Sequence, residues 1–193
     1  FPTRIFHDRI KTFDAVQEEI GGIIDNVDWK CPDAFKGTQL LSTDDFSDDI
    51  ISDLGLDALY DEVHNNVKEY CKLLQRPFLP FRMFSWITLN KKNSYSTVHN
   101  HGPADVSGVY YYKTNGMDGD FFYTTPVMGY EGSHMMMDAH TPICIRPEEG
   151  LMLLWPSSLN HGVKINQTDH DRMSVAFNIF FDKGRLYERF KGI

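Results

Sequence analysis

The sequence predicts an α+β domain in which N-terminal helices pack on the outside of a β-roll. Three observations predict it. Apolar residues recur at helical spacing in two segments before residue 80. From residue 81 onward, short β-prone runs follow one another, each bounded by turn residues. No Gly-, Ser- or Pro-rich linker and no internal repeat divides the 193 residues, which suffice for one substantial core. Helices first and strands later, without a linker, describe one α+β unit. Seven or eight short strands at this spacing make a sandwich, a barrel or a jelly roll.

Residues 1–8 read as extended. The first helix runs from about Thr12 to Asp25, because Ile10, Phe13, Val16, Ile20, Ile23 and Ile24 keep a helical period; Gly21-Gly22 weakens its last turns. Residues 28–50 are irregular, with Pro32, Gly37 and the acidic pairs Asp44-Asp45 and Asp48-Asp49, which read as a solvated loop rather than a cation site. In the second helix Leu56, Leu59, Tyr60, Val63, Val67, Tyr70, Cys71 and Leu74 form the apolar stripe, and the helix stops before Pro77. Cys71 lies on that stripe and reads as core; His64 lies at its edge and reads as structural.

Strands are expected at 81–90, 96–101, 107–113, 120–125, 141–146, 150–155, 161–165 and 172–181. Asn93-Ser94, Gly102-Pro103, Asn115-Gly116, Gly129, Pro147 with Gly150, and Asn166 to Asp171 supply the turns between them. Residues 127–140 read as a long loop folded over a sheet edge; its Met135 to Met137 would suit a hydrophobic substrate or a lid.

Net charge is −8 and the pI about 5.4, which argues against nonspecific binding to nucleic acid or to an anionic membrane. The three cysteines, Cys31, Cys71 and Cys144, are far apart and odd in number, so a reducing, cytoplasmic compartment is expected. No run of 18 apolar residues and no signal-peptide core is present. The chain starts with Phe1 rather than methionine, which points to trimming and leaves a removed targeting segment open.

The chemistry-bearing stretch is Ser96 to Tyr112. In an extended strand, residues i and i+2 share a face, so His99 and His101 can aim two imidazoles at one point. Imidazole suits Fe, Zn, Cu and Ni, and a third ligand is at hand in His161. Arg172 follows eleven residues later, with Ser174 on the same strand face. His7, His64, His134, His140 and His170 have no such partners and read as structural or surface residues. Trp86, Tyr95 and Trp155 suggest an aromatic mouth, although aromatic core packing explains them equally well.

Here the β-half resembles the 2OG-Fe(II) oxygenases found in phages and marine bacteria. The resemblance rests on His99-Asn-His101, Ser107-Gly-Val-Tyr-Tyr111, Pro147-Glu-Glu-Gly150 leading to Pro156-Ser157, His161-Gly-Val163 and Arg172-Met-Ser174-Val-Ala-Phe177-Asn178, in that order over about residues 81–181. It implies one domain over 1–193: helical support to residue 80, a double-stranded β-helix (jelly roll) over 81–182, and a tail over 183–193. It implies Fe(II) held by His99, His161 and a ligand supplied near position 101, with 2-oxoglutarate as cosubstrate. Arg172 would hold the C5 carboxylate of 2-oxoglutarate, helped by Ser174 and the Tyr111 hydroxyl. Which of Tyr110 to Tyr112 faces inward is a matter of strand period.

The departure is at His101, where most 2-oxoglutarate oxygenases carry Asp or Glu. Three neutral histidines are favoured; Asp105, in the following turn, is the alternative to His101 as a ligand. The reaction implied is oxidation of a substrate C–H, a hydroxylation by default, with O2 and 2-oxoglutarate going to succinate and CO2. The substrate is a small molecule or a peptide, and the compartment is the cytoplasm, the host's if the protein is phage-encoded. Two rivals stand beside this reading. A three-histidine cupin-type dioxygenase would need the same ligands but not Arg172 or Ser174. A non-enzymatic metal-binding jelly-roll module would show no turnover. Oligomeric state is not legible.

Overall fold

The computed structural model describes residues 3–33, 36–43, 49–124 and 143–183. Met135 to Met137, His134, His140, Gly129, Asp44-Asp45, Asp48 and the tail beyond residue 183 lie outside the described residues. The elements run β1 (Phe6–Arg9), α1 (Phe13–Ile23) with a 3-10 turn at Ile24–Asn26, β2 (Leu41–Ser42), α2 (Ile50–Asp53) and α3 (Asp57–Leu73). Then come β3 (Phe81–Asn90), β4 (Ser96–His99), β5 (Val106–Lys113), β6 (Phe121–Tyr123), β7 (Ile143–Ile145), β8 (Leu151–Pro156), β9 (His161–Val163) and β10 (Arg172–Phe181).

The strands form two antiparallel sheets, a major one in the order β1-β8-β5-β10-β3-β2 and a minor one in the order β4-β9-β6-β7. This is a double-stranded β-helix with helices on the outer face of its major sheet. Period-2 alternation divides the major sheet's side chains. Val106, Tyr110, Met152, Leu154, Val175, Phe177 and Ile179 face the helices and share a core with Val16 and Ile20 of α1 and Leu59, Val63, Val67 and Tyr70 of α3. Val109, Tyr111, Leu153 and Trp155 face the other way, toward the minor sheet and Phe121. Burying each such aliphatic side chain is worth about 1.5–3 kcal/mol.

The two long helices cap each other. Thr12, at the start of α1, makes no side-chain cap; instead the buried Glu62 carboxylate of α3 accepts the Lys11 N–H (2.8 Å), the Thr12 N–H (2.7 Å) and the Thr12 hydroxyl (2.8 Å). Glu19 of α1 accepts the Ala58 and Leu59 N–H groups at the start of α3 (2.8 and 3.2 Å). Each carboxylate thus satisfies orphan donors at the positive end of the other helix.

Several expectations are corrected. The strand expected over 96–101 ends at His99, because His101 donates its N–H to the Ser157 carbonyl (2.9 Å) and leaves the β4 ladder. Residues 6–9 are extended as expected and pair with β8, whereas β2 lies within the region read as irregular and α2 begins at its end. Tyr60, placed on the apolar stripe by its spacing, is 38% exposed, whereas Glu62 and Asn66 are buried. Cys71 is buried as expected, and no described helix is long and apolar enough to cross a membrane.

Candidate active site

His99, the last residue of β4, stands directly opposite His161, the first of β9. Their ring centroids are 4.5 Å apart, and the His101 ring lies 5.0 Å from each. One ring nitrogen from each of the three falls within 4.8 Å of the others, a spacing that could hold a metal ion. Residues 62 positions apart in sequence meet because β4 and β9 are neighbours in the minor sheet.

The backbone orients two of the rings. His99 Nδ1 lies 2.7 Å from the Thr97 carbonyl oxygen, and His161 Nδ1 lies 2.8 Å from that of Leu159. A carbonyl only accepts, so Nδ1 carries the proton in each and Nε2 keeps its lone pair, the arrangement of metal-ligating histidines. The His101 ring makes no hydrogen bond among the described residues. It gets its place from Trp86, 5.8 Å between centroids, and from the other two histidines. Burial, with the neighbouring His99, pushes the His101 pKa down to about 4 and that of His161 to about 3. Both rings are therefore neutral near pH 7, the form in which imidazole binds a metal.

The cluster opens on a cavity of about 290 Å³ between the two sheets. Arg172, at the start of β10, lines the same cavity and is 2% exposed. It donates to the Gly119 carbonyl (2.5 Å), and among the described residues it makes no ion pair and its Nε has no hydrogen-bond partner. Gly119 has φ +104°, and a Cβ there would collide with the Lys164 carbonyl oxygen, so only glycine lets this loop present its carbonyl to the guanidinium. Burial pulls the Arg172 pKa below its usual value, opposed by Tyr111, Asp118 and Asp120; the guanidinium still stays charged. Of the three tyrosines, Tyr111 lines the cavity, while Tyr110 is buried on the helix side and Tyr112 is half-buried. Burial, opposed by Arg172, raises the Tyr111 pKa to about 12, so it keeps its O–H. Ser174 lines the cavity too, its hydroxyl 2.8 Å from that of Thr88.

Asp105 does not join the histidines. It ties the start of β5 to the end of β10, accepting the Phe181 N–H (3.0 Å) and pairing with Lys183 (2.5 Å). Trp86 and Trp155 line the cavity, but Tyr95 lies in a shallow outer groove with Val98 and Ile165. The sequence reading missed Asp118 and Asn90. Asp118 is fully buried, holds Thr114, Asn115 and His170 (2.6, 2.8 and 3.1 Å), and so shapes the loop whose carbonyl receives Arg172. The Asn115-Gly116 turn was its one visible trace.

A double-stranded β-helix, a histidine cluster that could hold a metal and a buried arginine with no ion pair among the described residues fit a metal-dependent oxygenase of the 2-oxo-acid type. Residues 84–178, close to half of the chain, match the family model described as "Putative 2OG-Fe(II) oxygenase", and they are a 2OG-Fe(II) oxygenase domain. The protein is thus an Fe(II)- and 2-oxoglutarate-dependent oxygenase. Solved structures share its fold at low identity. HygX from Streptomyces hygroscopicus, crystallised with nickel and 2-oxoglutarate, superposes with TM-score 0.63 at 14% identity, covering 92% of this chain and 83% of HygX. A Pseudomonas putida prolyl-4-hydroxylase gives 0.63 at 13%, covering 93% of this chain and 94% of its own. The epimerase SnoN from nogalamycin biosynthesis gives 0.67 at 12%, covering 93% and 79%. No curated protein sequence matches.

Proposed function

We propose that this oxygenase is a hydroxylase of a small-molecule or peptide substrate. In this reading His99, His101 and His161 hold iron(II), and Arg172, Ser174 and Tyr111 hold the C5 carboxylate of 2-oxoglutarate. Arg172 carries the reading. A buried guanidinium with no carboxylate partner among the described residues is costly on its own, and the cost is offset only when an anion enters the cavity that it lines. A three-histidine dioxygenase that does not use 2-oxoglutarate gives no reason for it.

Bound iron(II) and 2-oxoglutarate supply the oxidising chemistry: O2 is consumed, 2-oxoglutarate becomes succinate and CO2, and a substrate C–H is oxidised. The chain's own residues prepare for it. Thr97 and Leu159 fix the Nδ1–H form of two ligands and leave Nε2 free. Low pKa values keep His101 and His161 unprotonated. Trp86, Phe121, Trp155 and Val163 wall the cavity with apolar surface that excludes water. His101, rather than Asp105, completes the ligand set, since Asp105 is engaged with Phe181 and Lys183. Residues 1–193 act as one unit in this reading, supported by the core cluster that joins α1 and α3 to the major sheet.

The neighbours in fold include an epimerase as well as a prolyl hydroxylase, so outcome needs its own test. Incubation of the iron-loaded enzyme with 2-oxoglutarate and candidate peptides or metabolites under 18O2 should give succinate and a product carrying one labelled oxygen atom. Labelled succinate with an unlabelled product would replace hydroxylation by another oxidative outcome.

A further inference from the structure

Among the described residues four buried side-chain polar atoms lack a hydrogen-bond partner, and three belong to residues that line the cavity: Arg172 Nε, Asn90 Nδ2 and Trp155 Nε1. All three are donors. Native proteins rarely leave such groups unpaired, and a cavity wall that concentrates them calls for an acceptor from outside the chain.

Two of the three are neighbours. Asn90, the last residue of β3, is paired directly with Arg172 across the β3–β10 ladder. Directly opposed residues in an antiparallel pair have Cβ atoms about 5 Å apart. The next inward pair is Thr88 with Ser174, already joined hydroxyl to hydroxyl. The cavity lining thus includes two successive same-face cross-strand pairs, a charged donor with an amide and a hydroxyl with a hydroxyl. A carboxylate offers about four lone-pair positions, of which a guanidinium fork takes two. Asn90 is 1% exposed, so water has poor access to its amide. A half turn about χ2 exchanges the two ends of the amide, so its N–H groups can be turned toward Arg172.

We propose that the Asn90 side-chain amide is a second donor to the distal carboxylate of the cosubstrate, and that the Arg172–Asn90 pair selects a 2-oxo dicarboxylate over a 2-oxo monocarboxylate. This rests on the 2-oxoglutarate reading above and adds a residue that the family motif does not contain. The iron(II)-loaded protein is titrated anaerobically with 2-oxoglutarate and separately with pyruvate, which has no distal carboxylate, following the visible charge-transfer band or the heat of binding. Asn90→Leu should weaken 2-oxoglutarate roughly ten- to hundredfold, the usual scale for a hydrogen bond to a charged group. It should leave pyruvate and iron(II) affinity unchanged. Asn90→Ser, which retains a donor, should fall between wild type and Leu and stands in if the Leu variant does not fold. Equal losses for both 2-oxo acids, or no loss for either, would overturn the proposal. Binding of 2-oxoglutarate by the wild type that is lost in Arg172→Leu but unchanged in Asn90→Leu sinks the role of Asn90 alone. No binding by the wild type sinks the cosubstrate reading with it.

Discussion

His99 and His161 face each other across the β4–β9 ladder with ring centroids 4.5 Å apart, and each ring is fixed by the carbonyl of the residue two places before it. The same local device on two paired strands brings two of the three candidate metal ligands together from distant segments. His101 arrives differently, from the turn after β4, with no ring hydrogen bond among the described residues.

This asymmetry sets the first prediction. His99→Ala and His161→Ala should each cost iron(II) affinity more than the 10–100-fold typical of disturbing an outer-shell partner. His101→Ala should do likewise, whereas His101→Asp, which restores a two-histidine-one-carboxylate set, should retain iron(II). Asp105→Asn should leave metal affinity unchanged. Calorimetric titration with iron(II) under anaerobic conditions reads all five.

A second prediction concerns acid. Folding lowers the His101 and His161 pKa values from 6.5 to about 4 and about 3, so below pH 6.5 the unfolded chain binds protons that the folded chain does not. Stability of the metal-free protein should fall as pH drops from about 6.5 to 4, with a loss of about 3 kcal/mol from His101 alone by the usual conversion. Urea denaturation with chelator present, at steps from pH 7 to pH 4, measures the slope. His161→Asn should flatten it.

Arg172 should separate function from stability. A buried guanidinium with no ion pair among the described residues is not a strongly stabilising group, so Arg172→Leu should leave the metal-free protein as stable as wild type or more so. The same change should abolish 2-oxoglutarate binding, and Arg172→Lys should recover little of it, because an ammonium lacks the two-pronged geometry. Thermal unfolding and cosubstrate titration on the same samples test both halves.

Much of this architecture is legible in the sequence, for physical reasons. The strands from 81 to 181 are found to within a few residues because Gly, Pro and Asn turns punctuate them. The three histidines and Arg172 stand out as residue types with few bland uses in such a pattern. What stays hidden depends on pairing between distant strands. Asn90 resembles any polar residue at a strand end until β10 sets it against Arg172. Glu62 looks like a solvent-facing helix residue until α1 offers it three donors, and β1 looks merely extended until β8 pairs with it. His101 was placed in the cluster by an alternation that ends at His99; the turn, not the strand, brings it there.

The crossed helix caps give a prediction away from the site. Glu62→Ala leaves the Lys11 and Thr12 donors unsatisfied in a part-buried place and should cost about 1–3 kcal/mol of stability. Iron(II) affinity should be unchanged. Urea denaturation beside metal titration checks this.

The most direct test of the central claim is an anaerobic titration of the metal-free protein, first with iron(II) and then with 2-oxoglutarate, followed in the visible region. A charge-transfer band should appear only when both are present, and should be absent in His161→Ala and in Arg172→Leu. Iron(II) binding without a band on adding 2-oxoglutarate would contradict the assignment of Arg172 and favour a three-histidine dioxygenase; no iron(II) binding would contradict the metal centre itself.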